Sequence, residues 1–501
     1  MLIFSTLGLK LTGKVGVTLF LAQNLIAGKF QNGTGPEAKS LNPADPASVV
    51  AVYNKATAGD IDNAIAAARG SLDEWADLGL IKRGVILRKV AELMVERRQE
   101  LAKLMTIEQG KTLAEAQVEI DGSAETIRYH ADAARFMYGR TYVSSVPDER
   151  IETVRQPLGV IAIVTPWNFP AQIPAWKIAP ALLWGNTVIW KPASDVPALS
   201  FAIASLFHDA GVLPGALNMV LAPGATTSHL IDSPFISGVS FTGSGQVGNQ
   251  IVQSCATRGV KIQLELGGNN AAIVMPDIDL DHAAAQLVIG SMSGTGQKCT
   301  ATRRIITVGD CHDEFIGYLS KRVEALVVGD GLDPSSQIGP AVSGSAQSEV
   351  LNAIKDAVTD GGKIIAQAKV PTGDGFYIAP TVIEGDMSIK TCQEEVFGPV
   401  TTVMNVPTLE MAVEIANSTE FGLTASIFSA SHSDIAFAVS KLQAGLVKVN
   451  APNTGSELHV PFGGLKASSF PGPREQNADS VADFFTTTKS VYHRLPKVKE
   501  K

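Results

Sequence analysis

Between Gly159 and about Lys448 the chain alternates short apolar runs with amphipathic stretches, and no other feature limits the fold as strongly. GVIAIVTPW is followed by AWKIAPALLWG, NTVIWKPA, ALSFAIASLFHDAG, LNMVLAPG and ISGVSFTGS, and a helix is predicted from about Gln246. Such strand–helix alternation implies a parallel sheet covered on both faces. A second alternating region is expected from near Lys261, with AAIVM, RRIITVG, KIIAQ and TASIFSA as its apolar segments. The fold class is therefore α/β in two halves, in keeping with a length of 501 residues, too great for one ordinary core.

Two helices are predicted ahead of this region. In DIDNAIAAARGSLDEWADL, Asp60 is placed to cap, and Ile61, Ala64, Ile65, Ala68 and Leu72 recur at helical spacing. A second helix is expected through RGVILRKVAELMVERRQELAKLM, with Val85, Val90, Leu93, Leu101 and Leu104 as its apolar stripe. Two β-prone segments, Arg150 to Gly159 and Asp483 to Leu495, fit neither half. Both are expected to be edge strands, which must be paired or covered, for instance by another subunit.

Apolar residues make up 45% and charged residues 18%, a globular balance. The net charge of −8 argues against a duplex nucleic-acid partner, which needs a basic face to displace counterions. The four cysteines, Cys255, Cys299, Cys311 and Cys392, show neither zinc spacing nor a disulfide framework. No metal site is expected, and a reducing cytoplasmic compartment fits best. The apolar start, MLIFSTLGLKLTGKVGVTLFLAQ, is interrupted by Lys10 and Lys14. A membrane-spanning helix needs roughly twenty apolar residues. Residues 1–23 are therefore expected to be a leader ahead of the domain, or the product of a start placed too far upstream, with no membrane association.

Four stretches carry chemistry. In TGQKCTATRR, Cys299 sits among small residues and open backbone, as a reachable nucleophile would. A packed structural cysteine is an equal alternative on this segment alone. A nucleophilic cysteine must be thiolate, and loop or helix-end positions can lower a thiol pKa. In QLELGGNNAAIVM, Glu265 lies in an apolar run, where a raised pKa would suit a general base; the alternative is a salt-bridged glutamate at a strand end. In VTPWNFP, Asn168 follows a buried strand, where ligands of α/β sheets bind. Its amide could hold an oxyanion or make an Asx turn. GSGQVG, Gly243 to Gly248, matches the dinucleotide fingerprint, which would put Glu265 on a ribose. One carboxylate cannot easily serve a ribose and also a distant reacting carbon, so the match is taken as incidental.

Taken together, TPWNFP, WKPAS, FTGS, LELGG, GQKC, EEVFGPV and PFGGLK resemble the aldehyde dehydrogenase superfamily, in family order and spacing, from about Asn24 to Leu495. Cys299 follows Glu265 by 34 residues, the spacing of that family. The resemblance implies two Rossmann-like three-layer α/β domains with a small β oligomerisation arm. It assigns residues 24–134 and 159–264 to the dinucleotide domain, 265–470 to the catalytic domain, and 135–158 with 471–501 to the arm and tail. It implies that Cys299 attacks an aldehyde as thiolate, and that the Asn168 side chain and the Cys299 N–H hold the oxyanion. Hydride then passes to nicotinamide, Glu265 activates water to hydrolyse the thioester, and Lys177 helps relay protons.

For the cofactor, NADP or NAD, the resemblance implies contacts from Thr165, Pro166, Trp167, Lys191, Ser194 and Gly224. It adds Gly243, Ser244, Val247 and Gly248 near the pyrophosphate, Leu266 and Gly267 beyond them, and Glu395 and Phe397 at the nicotinamide ribose. Ser194 stands where NAD-specific relatives often place Glu, so NADP is expected to be accepted, although Asp195 follows. CTATRR, KVNAPNTGSELHVPFGG and GPREQ…FFTTTKSVY look most like α-ketoglutaric semialdehyde (2,5-dioxopentanoate) dehydrogenases. The partner is then a small anionic semialdehyde, with an Arg or similar donor for its charged end. Ser293 stands where succinate-semialdehyde enzymes often carry Arg, which tilts against that substrate. A homodimer or homotetramer is implied. A CoA-acylating relative would normally lack Glu265; a cysteine thioester hydrolase would need a histidine partner, and no histidine motif adjoins Cys299; a structural role would not require Cys or Glu.

Overall fold

The computed structural model describes residues 19–135, 139–470, 476–478 and 480–494. Of the expected leader, arm and tail, residues 1–18, 136–138, 471–475, 479 and 495–501 lie outside the described residues.

The first sheet has eight strands, in the order Ser469–Phe470, Lys261–Glu265, Ile236–Thr242, Val160–Val164, Thr187–Lys191, Leu217–Met219, Asn24–Ile26 and Lys29–Gln31. Its five central strands run parallel. Val160–Val164 and Thr187–Lys191 are buried along their whole length, as a sheet covered on both faces requires. The second sheet has seven strands, in the order Lys363–Gln367, Thr381–Glu384, Val400–Val406, Thr302–Val308, Asn270–Val274, Thr424–Phe428 and Leu446–Val449. Only its edge pair, Lys363–Gln367 with Thr381–Glu384, is antiparallel. Lys261–Glu265 closes the first sheet and does not open the second, contrary to the sequence expectation. The chain crosses between the sheets at Leu266–Asn269. The carboxyl end of one sheet is thereby set against the amino end of the other.

Several local expectations are corrected. Asp60 is not the cap: Thr57 is, and Asp60 is the third helical residue, accepting the Thr57 N–H at 2.8 Å and the Thr34 N–H at 2.9 Å. The long second helix is two helices, Leu80–Glu96 and Arg98–Gln109, broken at Arg97. Val85 is exposed; the inward face there is Gly84, Leu87, Ala91 and Met94. Counting apolar residues missed Gly84, whose missing side chain admits a neighbouring helix: a Cβ there would lie 2.7 Å from the Ala131 carbonyl oxygen. Asp483 to Leu495 is not one strand. Val481–Phe485 is helical because Val481, Phe484 and Phe485 enter the core, and the strand is Thr486–Arg494.

That strand pairs antiparallel with Glu149–Pro157, which pairs in turn with Thr141–Val143 to make a separate three-stranded arm. The two β-prone segments therefore cover each other. Asn186 joins the arm to the first sheet. Its Oδ1 accepts the Gly159 N–H at 2.9 Å, and its Nδ2 donates to the carbonyls of Ala181 at 3.0 Å and Phe485 at 2.9 Å. Asn186→Ala leaves the buried Gly159 N–H without its acceptor, and is expected to destabilise the protein by about 2 kcal/mol. A urea midpoint equal to that of the parent protein would contradict this.

Candidate active site

The seam between the sheets gathers most of the residues singled out in the sequence. The helix Leu280–Met292 ends just before them, and the chain then turns through Gly294, Thr295 and Gly296 at φ +62°, +58° and +60°. Glycine suits this left-handed region, and at Gly296 it is required, because a Cβ would lie 2.0 Å from the Gly398 carbonyl oxygen. Thr295 is β-branched and strained there; its hydroxyl donates to the Gly339 carbonyl at 3.0 Å. The turn is tied down on several sides. Glu115 accepts the Gly294 N–H at 2.6 Å, and Asn270 Nδ2 donates to the Cys299 carbonyl at 2.7 Å. Arg303 donates to the carbonyls of Gly296 and Gly398, each at 2.6 Å.

Cys299 emerges from this loop partly exposed, whereas Cys255, Cys311 and Cys392 are buried. Its thiol is pushed up to about 12 by burial and by the nearby carboxylates of Glu395 and Glu265. This runs opposite to the lowering that loop or helix-end positions can give. The resting sulfur carries a proton, and a base must remove it.

Glu265 ends its strand beside Thr242 on one side and Ser469 on the other. It is 2% exposed, and its Oε1 accepts the Ser469 hydroxyl at 3.0 Å. Its charge acts on the Cys299 thiol, as that of Glu395 does. Below it, the wholly buried Lys177 donates to Ser240 at 2.9 Å, and Ser240 donates to Gln263 at 2.7 Å. Burial lowers Lys177 to about 7, against the opposing pull of Glu265. Glu395 accepts the Gly268 N–H at 2.9 Å, and burial raises it to about 7 while Arg303 resists. The glycine pair of LELGG allows this packing: a Cβ at Gly267 would lie 2.2 Å from Glu395 Oε2, and one at Gly268 2.7 Å from the Cys299 carbonyl oxygen.

Asn168 makes no Asx turn with its side chain. Its Nδ2 reaches across the seam and donates to the Gln297 carbonyl at 3.0 Å, which leaves its second N–H beside the nucleophile loop. The Asn168 carbonyl accepts Lys111 Nζ at 2.9 Å. Lys111 forms a buried ion pair with Glu119, and Glu119 Oε1 accepts the N–H groups of Ala171 at 2.9 Å and Gln172 at 3.1 Å. Sequence reasoning missed this support. The signal was present in KTLAEAQVE: Thr112 and Glu115 form a capping box, and Glu119 follows four residues later on the same helical face. The arginines after the nucleophile are neither a solvated pair nor free for substrate. Arg304 is buried on the carbonyls of Asn269, Ile415 and Ala416.

The remaining predicted residues line the other side of the seam. Thr165 is buried and accepts the Trp190 indole N–H at 2.9 Å, and Trp167 meets Phe397 edge-on at 5.6 Å between centroids. A cavity of about 410 Å³ opens there, lined by Trp167, Glu395 and Phe397 among others. Lys191 is buried, and burial lowers it to about 8; its ammonium donates to the Pro192 carbonyl at 3.1 Å. Ser194 is exposed and Asp195 partly so, while Gly224 begins a short 3-10 turn. Gly243 and Ser244 lead into the helix Gly245–Ala256, whose first turn has no side-chain cap. Open space surrounds Gly245, whereas a Cβ at Gly248 would lie 2.7 Å from Leu266, leaving Val247 half-buried between. Uncapped N–H groups at a helix start, a buried ammonium and an aromatic-walled cavity fit a dinucleotide.

A sequence profile of the aldehyde dehydrogenase family matches residues 30–491. An alpha-ketoglutarate semialdehyde dehydrogenase of Haloferax volcanii is 39% identical, over 94% of this chain and 98% of its own. A 2,5-dioxopentanoate dehydrogenase of Saccharolobus solfataricus is 38% identical, over 93% and 98%. A crystal structure of an E. coli NADP-dependent enzyme superposes with a TM-score of 0.91 at 34% identity, covering 95% of this chain and 98% of that one.

Two outcomes follow from the geometry. Alkylation of Cys299 by iodoacetamide in the free protein is expected to accelerate about tenfold per pH unit from 7 to 9, as thiolate forms below its pKa. Glu395→Gln should speed it at fixed pH by removing a repelling charge. A rate flat in pH would contradict the raised thiol. Separately, Lys111→Met removes the hold on the Asn168 carbonyl and isolates a buried Glu119. It is expected to lower kcat at least tenfold with Cys299 still present and titratable by thiol reagents.

Proposed function

The chain belongs to the aldehyde dehydrogenase family and oxidises aldehydes to carboxylates with NAD or NADP; from that premise we propose that it works through a thioester on Cys299, with 2,5-dioxopentanoate as substrate and 2-oxoglutarate as product. The observation that carries the chemistry is the isolation of Cys299. It is the one partly exposed cysteine of the four, and it sits with two carboxylates and the Asn168 amide around it. The substrate rests on the two relatives named for that semialdehyde and on the matching motifs around the nucleophile.

Glu265 takes the thiol proton, and Cys299 Sγ adds to the aldehyde carbon. The oxyanion is held by the free N–H of the Asn168 amide and the Cys299 backbone N–H. When bound, NAD or NADP accepts the hydride that turns the adduct into a thioester. Glu265 then removes a proton from water, which attacks the thioester and releases the carboxylate. Lys177, lowered to about 7 by burial and acted on by the Glu265 charge, helps relay the protons Glu265 collects and is held in place by Ser240. Burial and then the charges of Glu395 and Glu265 raise the thiol, whereas a cysteine hydrolase needs an imidazole partner to activate it, which disfavours that alternative.

Ser194 has no charge to repel a ribose phosphate, and Asp195 lies against Lys191, which offsets it. NADP is therefore accepted. On the arm, Tyr142 at 50% exposed and Tyr492 at 63% share one face across Ile151, and Val143, 97% exposed, lies on the opposite face; a second copy of the chain covers the arm in a homodimer or homotetramer. The enzyme acts in the cytoplasm, whose reducing state keeps Cys299 free.

NAD(P)H production across a panel of short semialdehydes tests the reading. Cys299→Ala should abolish turnover. Glu265→Gln should give at most one equivalent of reduced cofactor per site and then stall. Normal turnover by Glu265→Gln removes it from the mechanism. An NADP efficiency below about one hundredth of that for NAD, a gap of about 2.7 kcal/mol, contradicts the assignment at Ser194.

A further inference from the structure

An anionic aldehyde needs a cation near the reacting sulfur, and the structure removes the obvious candidates in turn. Arg303 is committed to the Gly296 and Gly398 carbonyls, and Arg304 to those of Asn269, Ile415 and Ala416. Lys111 is paired with Glu119 and bound to the Asn168 carbonyl. Lys177 is fully buried on Ser240, on the Glu265 side.

Lys298 differs from all of these. It immediately precedes the nucleophile and is half-buried. Its side chain folds back over the left-handed turn, with Cε 2.6 Å from where a Cβ on Gly294 would stand. Its Nζ donates to Ser293 Oγ at 2.8 Å, a neutral partner, and among the described residues it forms no ion pair. An ammonium has three donors, so two remain for a ligand. The charges acting on Lys298 are those of Glu115, Lys111 and Glu119, on the helical side of the seam. Glu395, Trp167 and Phe397 lie on the cofactor side. Both of those carboxylates are already engaged, Glu115 with Gly294 and Thr112, Glu119 with Lys111 and the Ala171 and Gln172 N–H groups.

We propose that Lys298 receives the distal carboxylate of the aldehyde substrate and sets the preference for anionic over neutral aldehydes. The inference rests on the proposed semialdehyde substrate and names the residue that recognises its charge. Burial lowers the Lys298 pKa, and an arriving carboxylate offsets that effect. The Lys298 backbone is anchored independently, its carbonyl accepting from Arg303 at 3.3 Å and from the Ala301 N–H at 3.1 Å. Changing the side chain therefore leaves the loop's main-chain ties in place.

The test compares kcat/KM for 2,5-dioxopentanoate and for pentanal in the full-length parent protein, Lys298→Met, Lys298→Arg and Ser293→Ala. Protection of Cys299 from iodoacetamide by glutarate is measured alongside as a readout that needs no turnover. Lys298→Met is expected to lower the anionic-to-neutral ratio about tenfold to a hundredfold, mainly through KM, and to abolish glutarate protection. Lys298→Arg should restore most of both. Ser293→Ala should leave the ratio within about threefold, since it removes only the hydroxyl partner. An unchanged ratio and intact glutarate protection in Lys298→Met overturn the proposal. So does the same ratio change in Ser293→Ala, which would make Lys298 a loop brace. A parent protein that prefers pentanal overturns the substrate reading itself, and glutarate protection then decides whether Lys298 binds carboxylates at all.

Discussion

The buried guanidinium of Arg303 holds the two loops of the site together. Taking such a charge out of water costs several kcal/mol unless its donors are satisfied. Here the carbonyls of Gly296, Lys298 and Gly398 take bonds from its two terminal nitrogens, while Nε has no partner among the described residues; burial lowers Arg303 only to about 10, so it stays charged near neutrality. One ion thus joins the turn that presents Cys299 to the loop that presents Glu395 and Phe397. The left-handed run at Gly294, Thr295 and Gly296 would be a poor conformation in isolation. It persists because Arg303, Glu115 and Asn270 each take a polar group that the turn exposes.

Around that clamp the site keeps its protons near the point of exchange. The thiol is high because burial disfavours the thiolate and two carboxylates repel it, while burial raises Glu395 and lowers Lys177, each to about 7. A raised carboxylate does not by itself mark a reacting group. Glu108 is also raised to about 7, yet it accepts the N–H groups of Ala198 and Leu199 and the Ser40 hydroxyl, capping a helix far from Cys299 in its bonding. Geometry separates the two cases.

The architecture was legible because its signal is local. The runs at Val160–Val164 and Val188–Trp190 are apolar, which a strand covered on both faces explains, and the helix Gln172–Leu183 between them is apolar through most of its length. Errors arose where a small residue carried the packing, as at Gly84, or where a strand-prone run entered the core as a helix, as at Phe484 and Phe485. Neither is visible from propensity, because both depend on what lies opposite.

The chain by itself determined the residue types of the chemistry. A cysteine among glycines, a glutamate in LELGG and an asparagine after a buried strand can be picked out by composition and spacing alone. Tertiary structure decided what each group feels. It raised the Cys299 thiol by burying it and by bringing Glu395 and Glu265 from distant segments. It withdrew both arginines onto backbone carbonyls. It also placed Lys111 and Glu119, more than 40 residues before Asn168, under the loop that presents it. Charge interactions act through space and depend on burial, and neither distance nor burial is written along the chain.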